Sequence, residues 1–183
     1  MRLRPQTNVL HLVLGGVLLF PLRAADPEDE LKAATVLAFL QHAQWQDTAS
    51  TGKPLVIGVV GRPDFANLLQ RALDGKAVNG RGVKVMDPGS PPDPRCCQVL
   101  YVGGSKKTDI QQALAGTVSA HVLTIGETDR FLEYGGAVEL FLNEGHMAFE
   151  VSLDALNRAG ISISSKLLRF GRIRELAGGK TTP

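Results

Sequence analysis

The order of apolar and polar residues along the chain predicts a regular alternation of β-strands and α-helices. Short, almost wholly apolar runs predict buried strands, whereas apolar residues spaced three or four apart predict one-sided helices. The expected strands are residues 54–60, 83–86, 98–102 and 121–125. The expected helices are residues 27–45, 64–73, 108–115 and 128–133. This order favours an α/β fold with a mainly parallel sheet flanked by helices, of Rossmann-like type.

The pattern changes to a period of two towards the C-terminus. Residues 138–142 and 147–151 each place apolar side chains at every second position, and a short polar turn separates them. Such a pattern predicts a C-terminal antiparallel β-hairpin. We expect a short helix over 152–159, an extended segment over 161–163 and a last helix that starts at Ser164.

The first residues have the layout of a secretory signal peptide. Two arginines give a positive start, residues 9–20 are almost wholly apolar, and small residues follow at Ala24 and Ala25. An apolar run of 12 residues is shorter than the roughly 20 residues that span a bilayer. We therefore expect export to the periplasm, with an uncleaved membrane anchor as the alternative.

The predicted domain organisation follows from that signal. Residues 1–25 form the signal peptide, residues 26–177 a single α/β domain, and residues 178–183 a flexible tail. We find no internal repeat and no linker long enough to separate two domains.

Removal of the signal peptide changes the net charge of the protein. The whole chain carries 20 basic and 18 acidic residues, a formal net charge of +2. Loss of Arg2, Arg4 and Arg23 leaves 17 basic against 18 acidic residues, a net charge of −1. A nearly neutral exported domain has no overall electrostatic attraction for nucleic acid. The basic residues near the C-terminus are typical of a solvated helix face.

Cys96 and Cys97 are the only cysteines and are adjacent in the sequence. An oxidising compartment favours disulfides, but the usual Cα separation across a disulfide, about 4.4–6.8 Å, exceeds the 3.8 Å step between neighbours. A strained vicinal disulfide, bridges to another chain and buried thiols are the three alternatives. The apolar run after Cys97 favours buried thiols, and both cysteines are candidate redox residues.

The sequence contains no familiar arrangement of catalytic residues. Ser164 and Ser165 precede Lys166, but neither lies one helical turn from it, so a Ser–Lys nucleophile is not expected. We predict no catalytic residue, no metal site and no cofactor. A hydrolase site that only folding assembles is the alternative. We expect Ser164 to be the N-cap of the last helix.

Three of the expected strands end in turns that contain glycine. In open α/β sheets, ligands bind outside the carboxyl ends of the strands, and backbone N–H groups there can hold an anion. Arg62, Ser105 and Lys106 lie in or beside these turns and are candidate ligand-binding residues of a small-molecule module. The alternative is that the glycines only permit tight turns.

Two segments resemble the YfiR-like family of exported proteins. Residues 31–45, LKAATVLAFLQHAQW, are similar to its first helix, although Gln46 replaces the proline that usually follows the tryptophan. Residues 149–173, FEVSLDALNRAGISISSKLLRFGRI, are similar to its C-terminal signature, with Ser152 in place of the usual asparagine. Cys97 begins a strand that resembles the cysteine-led strand of the family. The resemblance spans nearly the whole exported domain.

This resemblance implies a periplasmic α/β protein without catalytic activity. The best understood role in the family is repression of a membrane-bound diguanylate cyclase through its periplasmic domain, sometimes under the control of disulfides. A cyclase or a sensor kinase is therefore the implied partner, and we also expect a homodimer. Members with regulatory disulfides have widely spaced cysteines. Cys96 and Cys97 are adjacent and are the only cysteines here, so an intramolecular long-range bridge is not available.

The C-terminal segment is the predicted partner surface. We expect Ile161 and Ile163 to form an exposed apolar edge beside Arg169 and Arg172, because apolar residues next to arginines are typical of protein interfaces. The alternative is that both isoleucines pack in the core.

Overall fold

The computed structural model describes residues 26–46, 52–86, 93–104, 106–117 and 120–174. The helices in these ranges are α1 (Pro27–His42), α2 (Pro63–Leu73), α3 (Lys107–Ala115), α4 (Leu153–Ala159) and the single turn α5 (Ser165–Leu168). The first five strands are β1 (Ala43–Trp45), β2 (Leu55–Val60), β3 (Ala77–Val78), β4 (Arg81–Val85) and β5 (Val99–Val102). The other five are β6 (Leu123–Gly126), β7 (Val138–Asn143), β8 (His146–Val151), β9 (Ile161–Ile163) and β10 (Arg172–Ile173).

Eight of these strands form one mixed sheet in the order β10-β8-β7-β6-β5-β2-β4-β3. Strand β2 pairs in parallel with β4 and β5, and the pairs β5–β6, β6–β7 and β8–β10 are also parallel. Strand β7 pairs antiparallel with β8, and β3 pairs antiparallel with β4. The protein is therefore an α/β domain with a mixed sheet of mostly parallel strands.

Strand β5 shows that the sheet is covered on both faces. All four of its residues are buried. Val99 and Tyr101 belong to the main core, which includes the apolar sides of α1 and α2. Leu100 and Val102 belong to a second cluster with Ile110 of α3. Because both faces are buried, the strand needs a continuous apolar run rather than an alternating one.

One predicted helix is shorter than expected and another is absent. The first helix ends at His42 because Ala43–Trp45 pairs antiparallel with Ile161–Ile163 as the separate pair β1–β9. Residues 128–133 form turns rather than a helix. The other predicted strands and helices of the parallel part are present, with shifts of a few residues at their ends.

The predicted last helix is shorter than expected. Ser164 is its N-cap, as predicted, and its hydroxyl accepts a hydrogen bond from the backbone N–H of Lys166 at 3.3 Å. Helix α5 ends after one turn at Leu168, and Arg172–Ile173 then pairs with β8 at the edge of the sheet. The Phe170 side chain, between α5 and this edge strand, is 69% exposed and does not pack on the sheet.

The expected apolar edge at Ile161 and Ile163 is also wrong. These two residues are only 2% and 9% exposed and belong to the main core. Their burial follows from the pairing of β9 with β1, which places β9 beside the end of α1. Ser162 between them is exposed, in keeping with the period of two along a strand.

Candidate functional site

Three strand ends meet at one edge of the sheet. Strand β5 lies between β2 and β6 and is parallel to both, so the residues that follow these strands are neighbours. The chain goes from β2 to β4 on one side and then to β5 on the other, so the strand order reverses here. Open α/β sheets bind ligands at such a reversal. Arg62, Gly103 and Glu127 are placed there.

Arg62 bridges two carboxylates at this edge. Its Nη1 donates to Glu127 Oε1 at 2.7 Å. Its Nη2 donates to both carboxylate oxygens of Asp29, at 2.8 and 2.7 Å. Asp29 lies in the first turn of α1, so Arg62 connects that helix to the ends of β2 and β6.

Lys32 makes a second bridge from α1 to Glu127. The lysine is 6% exposed, and its Nζ lies 2.6 Å from Glu127 Oε2 and 2.6 Å from Glu28 Oε1. The Tyr101 hydroxyl of β5 also donates to Glu127 Oε2, at 2.8 Å. Both carboxylate oxygens of Glu127 are therefore occupied. We call Asp29, Lys32, Arg62, Tyr101 and Glu127 the Glu127 cluster.

Each titratable group in the middle of the cluster keeps its ordinary charge at neutral pH. Burial raises the pKa of Glu127, but hydrogen bonds from three neighbouring side chains outweigh it and hold that pKa below its usual value. Burial lowers the pKa of Lys32, but its contacts with Glu127 and Glu28 hold that pKa above its usual value. Burial and the nearby Glu127 charge raise the pKa of the Tyr101 hydroxyl. The pKa values of Glu127, Lys32 and Tyr101 are all moved away from neutrality, whereas a general acid or base needs a pKa near the working pH.

Glycines allow the strand ends to close over the cluster. Gly61 has φ +79°, and a Cβ at this position would collide with the carbonyl oxygen of Gly103. A Cβ on Gly103 would collide with the Arg62 side chain and would lie 2.8 Å from Glu127 Oε1. The hydroxyl of Thr128 donates to the Gly104 carbonyl and joins two of the turns. The space where a ligand would sit in a related sheet is therefore filled by the protein's own side chains and turns.

The three predicted ligand-binding residues have different surroundings. Arg62 uses both of its terminal nitrogens on Asp29 and Glu127. Lys106 is exposed at the N-cap of α3 and makes no ion pair with another described residue. Ser105 lies outside the described residues. A ligand-binding role for these three residues stays a prediction.

Arg62 could be recognised from the sequence as a candidate site residue, but the rest of the Glu127 cluster could not. Lys32 and Glu127 are 95 residues apart, so no local motif joins them. One signal was available, because Lys32 directly precedes the buried Ala33 on the apolar side of α1. A lysine in that position has to find a carboxylate partner in the interior. Lys32 also lies in the LKAA segment of the resemblance.

The two cysteines differ sharply in their exposure. Both lie in the described part of the chain, where no disulfide joins them; Cys96 is exposed and Cys97 is 2% exposed. Burial raises the pKa of the Cys97 thiol to about 12, although a backbone hydrogen bond from Gly58 opposes the rise. Cys97 packs in the cluster that contains Leu100 and Ile110. A redox role for either residue stays a prediction.

We expect only Cys96 to react with iodoacetamide in the native protein. The thiolate is the reactive form of cysteine. The Cys97 side chain is buried, and its raised pKa leaves little thiolate at neutral pH. Intact-mass measurement without reductant should show one added group under native conditions and two after unfolding. Peptide mapping should place the first group on Cys96. Equal native labelling of both cysteines would contradict the burial of Cys97.

In the described part of the chain, no three His, Cys, Asp or Glu residues are placed to share a metal ion. None of the helices among the described residues is both long and apolar enough to cross a membrane. The predicted signal peptide over 1–25 lies outside the described residues.

The fold and the closed strand edge define a mixed-sheet α/β domain whose first helix is tied to the sheet by ion pairs. The YfiR/HmsC-like family matches residues 29–172 of the chain. This match covers most of the sequence, and the chain belongs to the YfiR/HmsC-like family. The matched range contains every residue of the Glu127 cluster.

A solved structure has a similar fold. It is a conserved domain protein from Vibrio cholerae O1 biovar eltor str. N16961, with a TM-score of 0.54 and 11% sequence identity. The alignment covers 80% of this chain and 60% of that chain, so this protein spans less than two thirds of the length of the Vibrio cholerae protein. At that identity, the likeness establishes the fold alone.

Proposed function

We propose that this protein is a non-enzymatic periplasmic regulator that binds and represses the periplasmic domain of an inner-membrane signalling protein. A diguanylate cyclase is the proposed partner, which places the protein in cyclic di-GMP signalling. The observation that carries the proposal is the family match over residues 29–172. The resemblance of both ends of the domain to YfiR-like proteins supports the choice of partner.

The Glu127 cluster supports a role without catalysis. At the edge where a ligand or substrate would bind, Arg62 and Glu127 each contact other protein side chains with their charged atoms. These contacts hold α1 against the sheet and leave the cluster with two positive and two negative charges. We assign the cluster the structural task of fixing the surface that the partner contacts.

The proposed contact surface lies around the C-terminal edge strand. Phe170 is the most exposed large apolar residue in the described chain, and Ile173 is 52% exposed. The guanidinium of Arg169 lies 4.9 Å from the centroid of the Phe170 ring. Arg172 is exposed beside them. Exposed aromatic and arginine side chains are typical centres of interface energy, so Phe170 and Ile173 take the place of Ile161 and Ile163 beside the two arginines.

The proposal includes export and self-association. Residues 1–25 would be removed as the signal peptide and leave the domain over 26–177 with the tail over 178–183. The domain would act as a homodimer. Neither step depends on the Glu127 cluster, and each has its own readout in the mass of the purified native protein.

A photoreactive phenylalanine derivative at position 170 tests the partner claim in the native host. We expect irradiation to join the protein to an inner-membrane protein that has a periplasmic domain and a cytoplasmic cyclase or kinase domain. The matched control carries the same group at Leu31, which is 42% exposed on α1. Equal products from both positions, or no product from position 170, would contradict the proposed surface.

A further inference from the structure

A cavity lies at the end of the strands opposite to the Glu127 cluster. It has a volume of about 340 Å³ and is formed where β6 and β7 begin, between the last turns of α3 and α4. Leu114, Val122, Ala137 and Ala155 give it an apolar floor. Two of these are alanines, which leave room that larger side chains would fill. Ligand cavities commonly have this size and this apolar character.

Three polar side chains line the same cavity without a hydrogen-bond or ion-pair partner in the described protein, although the Lys107 ammonium lies 5.6 Å from the centroid of the Tyr134 ring. Arg158 of α4, Gln111 of α3 and Tyr134 form part of its wall. None of their polar side-chain atoms makes a hydrogen bond or ion pair with another described residue. Thr124 is different, because its hydroxyl already accepts from the Ala137 N–H at 2.9 Å.

The only charged side chain in the described lining of the cavity is positive. Its described lining contains Arg158 and no aspartate or glutamate. Another cavity, beside β10, also contains arginines, but there Arg130 and Arg174 both approach the carboxylate of Glu133, at 2.6 and 3.5 Å. The cations of that cavity are neutralised by the protein, whereas Arg158 has no such counter-charge among the described residues.

We propose that the Arg158 cavity binds a small monocarboxylate with a short aliphatic chain. A guanidinium matches a carboxylate with two parallel hydrogen bonds, and the floor of leucine, valine and alanine side chains fits the aliphatic chain. Gln111 and Tyr134 supply further donors for the carboxylate oxygens. This site is separate from the partner surface at Phe170, so it does not depend on the proposed function.

Arg158 decides whether an anion can bind at all. The C-terminal ends of α3 and α4 line the cavity, and helix C-termini carry partial negative charge. Without Arg158, the cavity therefore repels a carboxylate while its apolar floor is unchanged. A neutral molecule of the same shape does not depend on the arginine in this way.

Hexanoate and hexanamide form a matched pair of probes, and the protein tested spans residues 26–183. We expect hexanoate to give saturable NMR shifts of Leu114, Ala137 and Ala155 and to bind at least tenfold more tightly than hexanamide. Arg158→Gln should remove that tenfold preference, and Arg158→Lys should retain part of it. Arg71 is an exposed arginine on α2, and Arg71→Gln should leave the preference unchanged.

Ala155→Leu is a second, independent test. The larger side chain should occupy the apolar part of the cavity and abolish binding of both probes. The variant's melting temperature is measured first, and the arginine variants carry the test if it does not fold. Equal affinity for the acid and the amide, an unchanged preference in Arg158→Gln, or no saturable shift with either probe would overturn the proposal. In that case Arg158 only complements the negative end of α4.

Discussion

Replacing Glu127 with alanine is expected to lower the free energy of unfolding by about 3–5 kcal/mol, because it removes one partner from a buried ion-pair network. Lys32 is 6% exposed and would keep only Glu28 as a counter-charge. Arg62 would lose one of its two carboxylates, and Tyr101 would lose its acceptor. Urea unfolding followed by circular dichroism measures the change.

Glu133→Ala is the matched control. Glu133 also contacts two arginines, Arg130 and Arg174, but these are 67% and 43% exposed. Ion pairs in contact with solvent contribute about 0–1 kcal/mol. A loss in Glu127→Ala no larger than in Glu133→Ala would show that the cluster does not hold α1 to the sheet.

The pH dependence of stability gives a separate test of Glu127. Its pKa in the folded protein is held below the usual value, so the folded state binds fewer protons than the unfolded state in the acid range. The resulting stabilisation is present above the unfolded pKa of about 4.3 and disappears as the pH falls through the folded pKa. The wild type should therefore lose more stability than Glu127→Ala between neutral and acid pH. Parallel urea titrations at several pH values measure this difference.

Gly61→Ala is expected to be the most damaging of the small substitutions. An L-residue at φ +79° costs about 1–2 kcal/mol from the left-handed conformation, and the new Cβ would also collide with the backbone carbonyl of Gly103. Overpacking adds about 1–3 kcal/mol or more, since two backbone segments have to move apart. Thermal unfolding should show a large fall in melting temperature or a failure to fold.

Gly80→Ala separates the two contributions. Gly80 has a similar φ of +76°, but a Cβ there would meet nothing within 4 Å. It should therefore show only the conformational cost of about 1–2 kcal/mol. Equal losses in the two alanine variants would mean that the contact between the turns of β2 and β5 is not tight.

The central parallel strands could be predicted from the sequence because their signals are local. Each is a short apolar run with a glycine turn after it, and burial on both faces requires that pattern. The β1–β9 pair could not be predicted in this way. Its strands have three residues each and lie far apart in the chain, so residues 43–45 were indistinguishable from the end of a helix.

The candidate site was predictable only in part. Arg62 stands out because it follows a strand and a glycine, but its partners Asp29 and Glu127 lie 33 and 65 residues away. Each of these carboxylates alone looks like an ordinary surface residue. The C-terminal segment misled in the opposite direction. Ile161 is buried because β9 pairs with the distant strand β1, and Phe170 is exposed because one helical turn is followed by an edge strand.

The central claim, repression of a diguanylate cyclase, is tested most directly by cellular cyclic di-GMP in the native host. We predict that deletion of this protein raises cyclic di-GMP and that the wild-type chain restores the original level. We predict that Phe170→Ser accumulates as a folded protein in the periplasm but does not restore it. An unchanged cyclic di-GMP level after deletion would contradict the account.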